Sequence, residues 1–122
     1  MLLKILKVKI QEVTVTESNI DYPGSISLPA ELMKASGIRD FEMVHVNNKT
    51  NGNRITTYAV TNKRKWKITI NGAASKLFKK EDIVHILAYT LLNEVEVDSF
   101  QPKLIITDRE NNIIESKPYI IS

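Results

Sequence analysis

Apolar and polar positions along this chain alternate mostly with a period of two, the spacing of a half-buried strand. Residues 4–16 begin that way. Val8 and Ile10 alternate with polar neighbours, and Val13 and Val15 repeat the pattern one step out of phase. A one-residue slip in such a pattern predicts a β-bulge or a strong bend. Residues 17–25 are polar and turn-rich, and Ile26-Ser27-Leu28 is a short extended piece. Pro29 to Gly37 predicts a short helix. Pro fits the first helical position, Leu32, Met33 and Ala35 form a small apolar face, and Gly37 fits the left-handed stop. Glu42–Asn48 alternates again, Asn51-Gly52 signals a hairpin, and the return strand runs from Arg54 to about Asn62. A basic connection, Lys63 to Lys67, leads to a short strand ending at Asn71-Gly72, and Ala73 to Phe78 suits one helical turn. Ile83 to Tyr89 is apolar and rich in β-formers, so it is the candidate central strand. Lys103–Thr107 and Asn112–Ser116 flank a polar loop as a second hairpin. Many short strands with one or two stub helices predict a mainly β fold, a small barrel. Strand order is not readable from the pattern.

Composition narrows the chemistry. A length of 122 residues suggests one domain. The chain has no cysteine, which excludes disulfides, thiolate-bound zinc and thiol nucleophiles. A net charge of +3 is too mild to imply nucleic acid by itself. No apolar run approaches a membrane span, and Lys4, Lys7 and Lys9 interrupt the start before a signal-type apolar region can form. A cytoplasmic protein is expected, with no nucleic acid and no membrane among its partners. His45 and His85 each alternate within a strand, and with no third ligand in view no metal is expected.

The candidate chemistry sits around Asp21-Tyr22-Pro23-Gly24-Ser25. Taken alone, Pro-Gly-Ser is an ordinary type II turn. Arg54 alone reads as a solvated strand residue, Tyr58 as packing, Lys9 as a strand lysine, and Asn71-Gly72 as a turn. Their joint arrangement is more specific. Arg54-Ile55-Thr56-Thr57-Tyr58 follows the Asn-Gly hairpin closely, Asn71-Gly72-Ala73-Ala74 follows one strand pair later, and Lys9 precedes Tyr-Pro-Gly-Ser by about fifteen residues. Together these positions resemble the pyruvoyl-dependent aspartate 1-decarboxylases, over most of the chain from about Leu3 to Ile114.

That resemblance implies a six-stranded double-psi β-barrel with short capping helices, assembled as a homotetramer with active sites between subunits. It implies that residues 1–122 form a single domain, cut between Gly24 and Ser25 into residues 1–24 and 25–122. Ser25 would become a covalently bound pyruvoyl group, with Thr57 polarising the carbonyl at the scissile bond. L-aspartate would join that group as a Schiff base and lose its α-carboxylate, giving β-alanine for pantothenate biosynthesis. Tyr58 is the implied proton donor. Arg54 offers a planar fork for a carboxylate, Lys9 adds a second positive charge, and Asn71, Gly72, Ala73 and Ala74 would line the rest. Catalytic roles thus fall to Ser25 and Tyr58.

The departures are local. The loop from Asn62 to Lys67 is about one residue short of the family pattern, and Gln11, Asp21 and Asn47 stand where some members carry histidine or tryptophan. Some members mature alone and others need a separate maturation factor. Two other readings are an uncut homologue with a structural or regulatory role, and a basic barrel using Lys63, Arg64, Lys65, Trp66 and Lys67 to bind nucleic acid.

Overall fold

A computed structural model of the chain describes residues 1–21 and 24–121. Tyr22 and Pro23, the first half of the expected turn, lie outside the described residues. The elements in chain order are β1 (Leu2–Thr14), β2 (Glu17–Asn19), β3 (Ser25–Pro29), α1 (Ala30–Ser36), β4 (Met43–Asn48), β5 (Arg54–Asn62), β6 (Thr69–Asn71), a 3-10 turn (Ala73–Leu77), β7 (Ile83–Asn93), α2 (Glu94–Ser99), β8 (Lys103–Thr107) and β9 (Ile113–Pro118). The fold is mainly β. Its strands hydrogen-bond in the order β2-β6-β3-β5-β4-β7-β1-β8-β9. Most neighbours are antiparallel, and β1–β8, β2–β6 and β3–β5 are parallel.

The phase slip in β1 has the predicted form. Its ladder with β7 shifts register between Ile10 and Val13, which turns Val8, Ile10, Val13 and Val15 all into the core. The Gln11–Glu12 peptide within the shift is cis. β7 lies between β1 and β4, and Val84, Ile86 and Ala88 alternate inward along it. They pack with Ile26 and Leu28 of β3, Ile68, Ile70 and Phe78. Burying each large side chain contributes about 1.5–3 kcal/mol before entropy is counted. Gly37 ends α1 at φ 74, a left-handed position that suits glycine, and its N–H donates to the Met33 carbonyl.

The structure departs from the sequence pattern in several places, including a central strand that runs past the expected Tyr89 to Asn93. Residues 17–19, expected to be turn-like, form β2 alongside β6. Pro29 ends β3 with ψ 146 and stands before the helix as its cap, not as its first residue. The helix α2 was not expected, because none of its residues is buried and it has no apolar face to read. Its signal is a capping box instead: Asn93 Oδ1 accepts from the Glu96 N–H at 2.8 Å, and Glu96 Oε1 accepts from the Asn93 N–H at 2.9 Å.

One polar residue ties distant segments together. Asn111, buried at φ 65 in the β8–β9 turn, donates to the carbonyls of Thr14 and Trp66 at 3.0 Å each. Its Oδ1 accepts from the Thr14 N–H at 2.8 Å.

Candidate active site

Ser25 opens β3 between two neighbours, antiparallel to β6 and parallel to β5. It is 6% exposed and pairs directly with Asn71. The Asn71 amide, itself buried, donates to Ser25 Oγ at 2.9 Å and to Ser27 Oγ at 3.1 Å. That donor leaves the serine proton free to point elsewhere. Gly24, on the other side of the expected scissile bond, is exposed, and a Cβ built on it would meet nothing within 4 Å.

The corner after Asn71 is held by the backbone. Gly72 sits at φ 80 and ψ −162, a conformation that suits glycine. Its N–H donates to the Asn19 carbonyl at 2.8 Å, and its carbonyl accepts from the Ser75 N–H. Ser18 Oγ donates to the Ser75 carbonyl at 3.0 Å, which fixes the 3-10 turn carrying Ala73 and Ala74. A polar cleft of about 400 Å³ opens beside Ser27 and Asn71, walled by Glu17, Asn19, Thr61 and Arg64.

The alternation of β5 divides its candidates between two faces. Thr57 shares the inward face with Ile55 and the buried Ala59, while Arg54, Thr56 and Tyr58 share the outer one. The parallel ladder pairs Ile26 with Ala59. Tyr58 and Thr57 therefore stand one and two residues below that pair, at the height of Ser25 and Gly24. The Tyr58 ring lies 6.1 Å from Phe41.

Arg54 and Lys9 are placed differently. Arg54 starts β5, about 13 Å along the strand from Tyr58. Its guanidinium donates to His45 Nδ1 at 2.7 Å and reaches Tyr89 Oη at 3.4 Å. Lys9 lies on β1, three strands from β5, with its ammonium 5.8 Å from the Tyr119 ring. Both side chains share the outer sheet face with His45, Asn47, His85 and Tyr89. Within one chain, then, Ser25, Asn71, Gly72 and the Ala73-Ala74 turn come together, Thr57 and Tyr58 stand level with them, and Lys9 and Arg54 do not converge on them.

His45 and Tyr89 were not among the residues picked from the sequence. They lie nine and thirty-five positions from Arg54 and meet it only through strand register, so no sequence spacing marks them. Burial, then Arg54 and Lys4, lowers the pKa of His45. Burial and Lys9 lower that of His85, against a pull upward from Glu12. Among the described residues, no group of three or more His, Asp or Glu side chains is arranged to hold a metal ion, and no helix is long and apolar enough to cross a membrane.

Sequence comparison adds the deciding observation. Residues 1–114 match the family model described as aspartate decarboxylase. The chain belongs to the aspartate decarboxylase family. Aspartate 1-decarboxylase of Stenotrophomonas maltophilia (strain K279a) is 40% identical over 121 residues, covering 98% of this chain and 96% of the relative. The Caldicellulosiruptor saccharolyticus enzyme is 43% identical over 116 residues, 94% and 91% of the two chains. That of Acetivibrio thermocellus is 39% identical over 118 residues, 96% and 94%. In this aspartate decarboxylase family member the family model ends at residue 114, while Tyr119, whose ring lies 5.8 Å from the Lys9 ammonium, falls in the segment after it.

Proposed function

We propose that this protein decarboxylates L-aspartate to β-alanine and CO2, using a pyruvoyl group made from its own Ser25. The observation that carries the reading is the buried Ser25 hydroxyl held by the Asn71 amide beside an exposed, unobstructed Gly24. A hydroxyl accepting from a fixed amide keeps its own proton available to a base and its oxygen aimed. Ser25 Oγ attacks the Gly24 carbonyl carbon, and the Ser25 nitrogen leaves, converting the amide to an ester. Loss of the Ser25 α-proton then breaks the Cβ–Oγ bond, releasing residues 1–24 with a free carboxylate. Water hydrolyses the resulting enamine to a ketone with loss of ammonia. Thr57 steadies the oxyanion that develops on that carbonyl, and its level with Gly24 along the strand supports that role.

The residues present fit the group. Asn71, Gly72 and the Ala73-Ala74 turn would surround it, with small side chains that allow close approach. Bound there, a pyruvoyl ketone captures an amine and withdraws the electron pair left by a departing carboxylate. Tyr58 supplies the proton to the substrate α-carbon, and its level with Ser25 supports that role. Arg54 holds a substrate carboxylate by its planar fork, and Lys9 adds positive charge. Because Arg54 and Lys9 lie away from Ser25 in one chain, the reading requires a neighbouring subunit to bring them there. A homotetramer of cytoplasmic double-psi barrels, each one domain cut into 1–24 and 25–122 and serving pantothenate synthesis, meets that requirement. Maturation is either autonomous or assisted by a separate factor.

The test is an intact mass spectrum of the denatured protein beside that of Ser25→Ala. The wild type should give two fragments, broken between Gly24 and Ser25, with the larger blocked by a pyruvoyl group. Ser25→Ala should stay whole and inactive. A wild type that remains intact after warming and exposure to host extract, or an active uncut Ser25→Ala, would overturn the assignment.

A further inference from the structure

Arg54 does not project alone from the sheet. Its Nη2 lies 2.7 Å from His45 Nδ1, and the Tyr89 hydroxyl lies 2.8 Å from the same nitrogen. A guanidinium can only donate, so Nδ1 is bare and the ring proton sits on Nε2. Nη2 also approaches Tyr89 Oη at 3.4 Å, closing a triangle of three side chains from β4, β5 and β7. The Tyr89 ring meets His45 edge-on at 5.1 Å, and the Lys4 ammonium lies over the Tyr89 ring at 5.3 Å. Arg54 is exposed and rich in rotamers, so this neutral acceptor is what selects one orientation of its fork.

The geometry points to His45 as a positioning residue: as a neutral imidazole it holds the Arg54 guanidinium in the orientation that receives the substrate carboxylate, with Tyr89 orienting His45. This inference rests on the reading of Arg54 as the carboxylate-binding residue. A neutral acceptor suits the task better than a carboxylate. An acidic partner would neutralise the guanidinium and compete with the substrate, whereas imidazole fixes direction and leaves the charge for the ligand.

The arrangement also sets a pH dependence. The groups facing His45 are Arg54 from β5, Tyr89 from β7 and Lys4 from β1, with Lys9 beyond Leu87. The charged ones are cationic, and with burial they keep the imidazole neutral at pH 7. A proton on Nδ1 would place a second donor against Nη2 and repel it. Substrate binding should therefore weaken as pH falls below the ordinary histidine range, while the chemical step is affected less.

The experiment measures steady-state decarboxylation of L-aspartate between pH 5 and 8, on protein shown by mass to be fully cleaved. His45→Leu should raise KM about tenfold, the value of one hydrogen bond to a charged group, and change kcat less than about twofold. His45→Gln keeps a neutral carbonyl acceptor. It should restore most of the KM at pH 7.5 and remove the acid-side rise that the wild type shows. His85, opposite Asn47 on the same face, still titrates in His45→Gln, so the difference isolates His45. Arg54→Ala serves as reference and should raise KM at every pH. If Arg54→Ala raises KM and His45→Leu does not, or if the acid-side rise persists in His45→Gln, the positioning role is overturned and the Arg54 reading stands. If Arg54→Ala leaves KM unchanged, both are overturned.

Discussion

Asn71 shows how much one side chain can organise. Its position in β6 pairs it with Ser25, and its short amide reaches both Ser25 and Ser27 from one spot. A longer glutamine would overshoot, and an aspartate would take the serine proton as an acceptor instead of donating. Tyr58 is set by register as firmly, since the β3–β5 ladder brings it level with Ser25. That separates two roles that a single mutation could otherwise confuse. Tyr58→Phe should still be cut, because the proposed cleavage uses Ser25 and Gly24, but should lose at least about 100-fold in kcat, the usual scale of general acid catalysis. Fragment masses and turnover measured on the same sample check this; full turnover would remove Tyr58 as proton donor.

Asn111 matters at the level of elements. The β8–β9 turn reaches back to the end of β1 and to the Trp66 loop through its one amide. Asn111→Ala would leave the buried Thr14 N–H and carbonyl to find other partners, so it should cost about 2–3 kcal/mol in urea unfolding of the precursor form. A change under about 0.5 kcal/mol would mean water replaces the amide at no loss. The elements also show what the sequence makes legible. The start of the return strand at Arg54 was readable, because the Asn51-Gly52 hairpin signal stands just before it, and its end near Asn62 was readable only approximately. The bulge in β1 was readable because an inward-facing valine cannot be moved outward without cost. β2 was not, because three polar residues gain their strand form only from β6 beside them. The helix α2 was marked only by its cap, while the apolar Leu91-Leu92 just before it continues the strand pattern. The triangle of His45, Arg54 and Tyr89 exists only once β5, β4 and β7 lie side by side, and strand order was the part the pattern could not supply.

On the proposed function, one chain holds only part of the site. Lys9 and Arg54 lie on one sheet face, with Phe41 at 77% exposure, Met43 at 51% and Leu91 at 61%. On the same face Asn47 Oδ1 and His85 Nε2 are buried with no hydrogen-bond partner among the described residues. Apolar exposure beside unmet polar atoms supports a covering subunit there. Complementation tests it. Ser25→Ala, inactive alone, and Arg54→Ala, slow alone at aspartate concentrations below its raised KM, should together regain activity at low aspartate when coexpressed, because mixed assemblies contain sites with both residues intact. Activity no higher than that of either parent would place Arg54 and Ser25 of one chain in the same site.

The place of β1 in the sheet gives the proposed cleavage at Gly24 a further meaning. β1 is an inner strand, antiparallel to β7 on one side and parallel to β8 on the other. Its Val8, Ile10 and Val13 are wholly buried. A chain cut after residue 24 thus keeps its shorter piece as an internal plank of the sheet, with no covalent tie to the rest. Before the cut, refolding is a first-order event; afterwards two pieces must meet in solution, and recovery depends on concentration. On that proposal an uncut chain could make mistakes and correct them at any dilution, whereas a cut one, once opened and diluted, would recover only as fast as its pieces meet. Scission of this kind works as a ratchet, and a fold that delays the break until β1 is seated would commit only the molecules that have already folded.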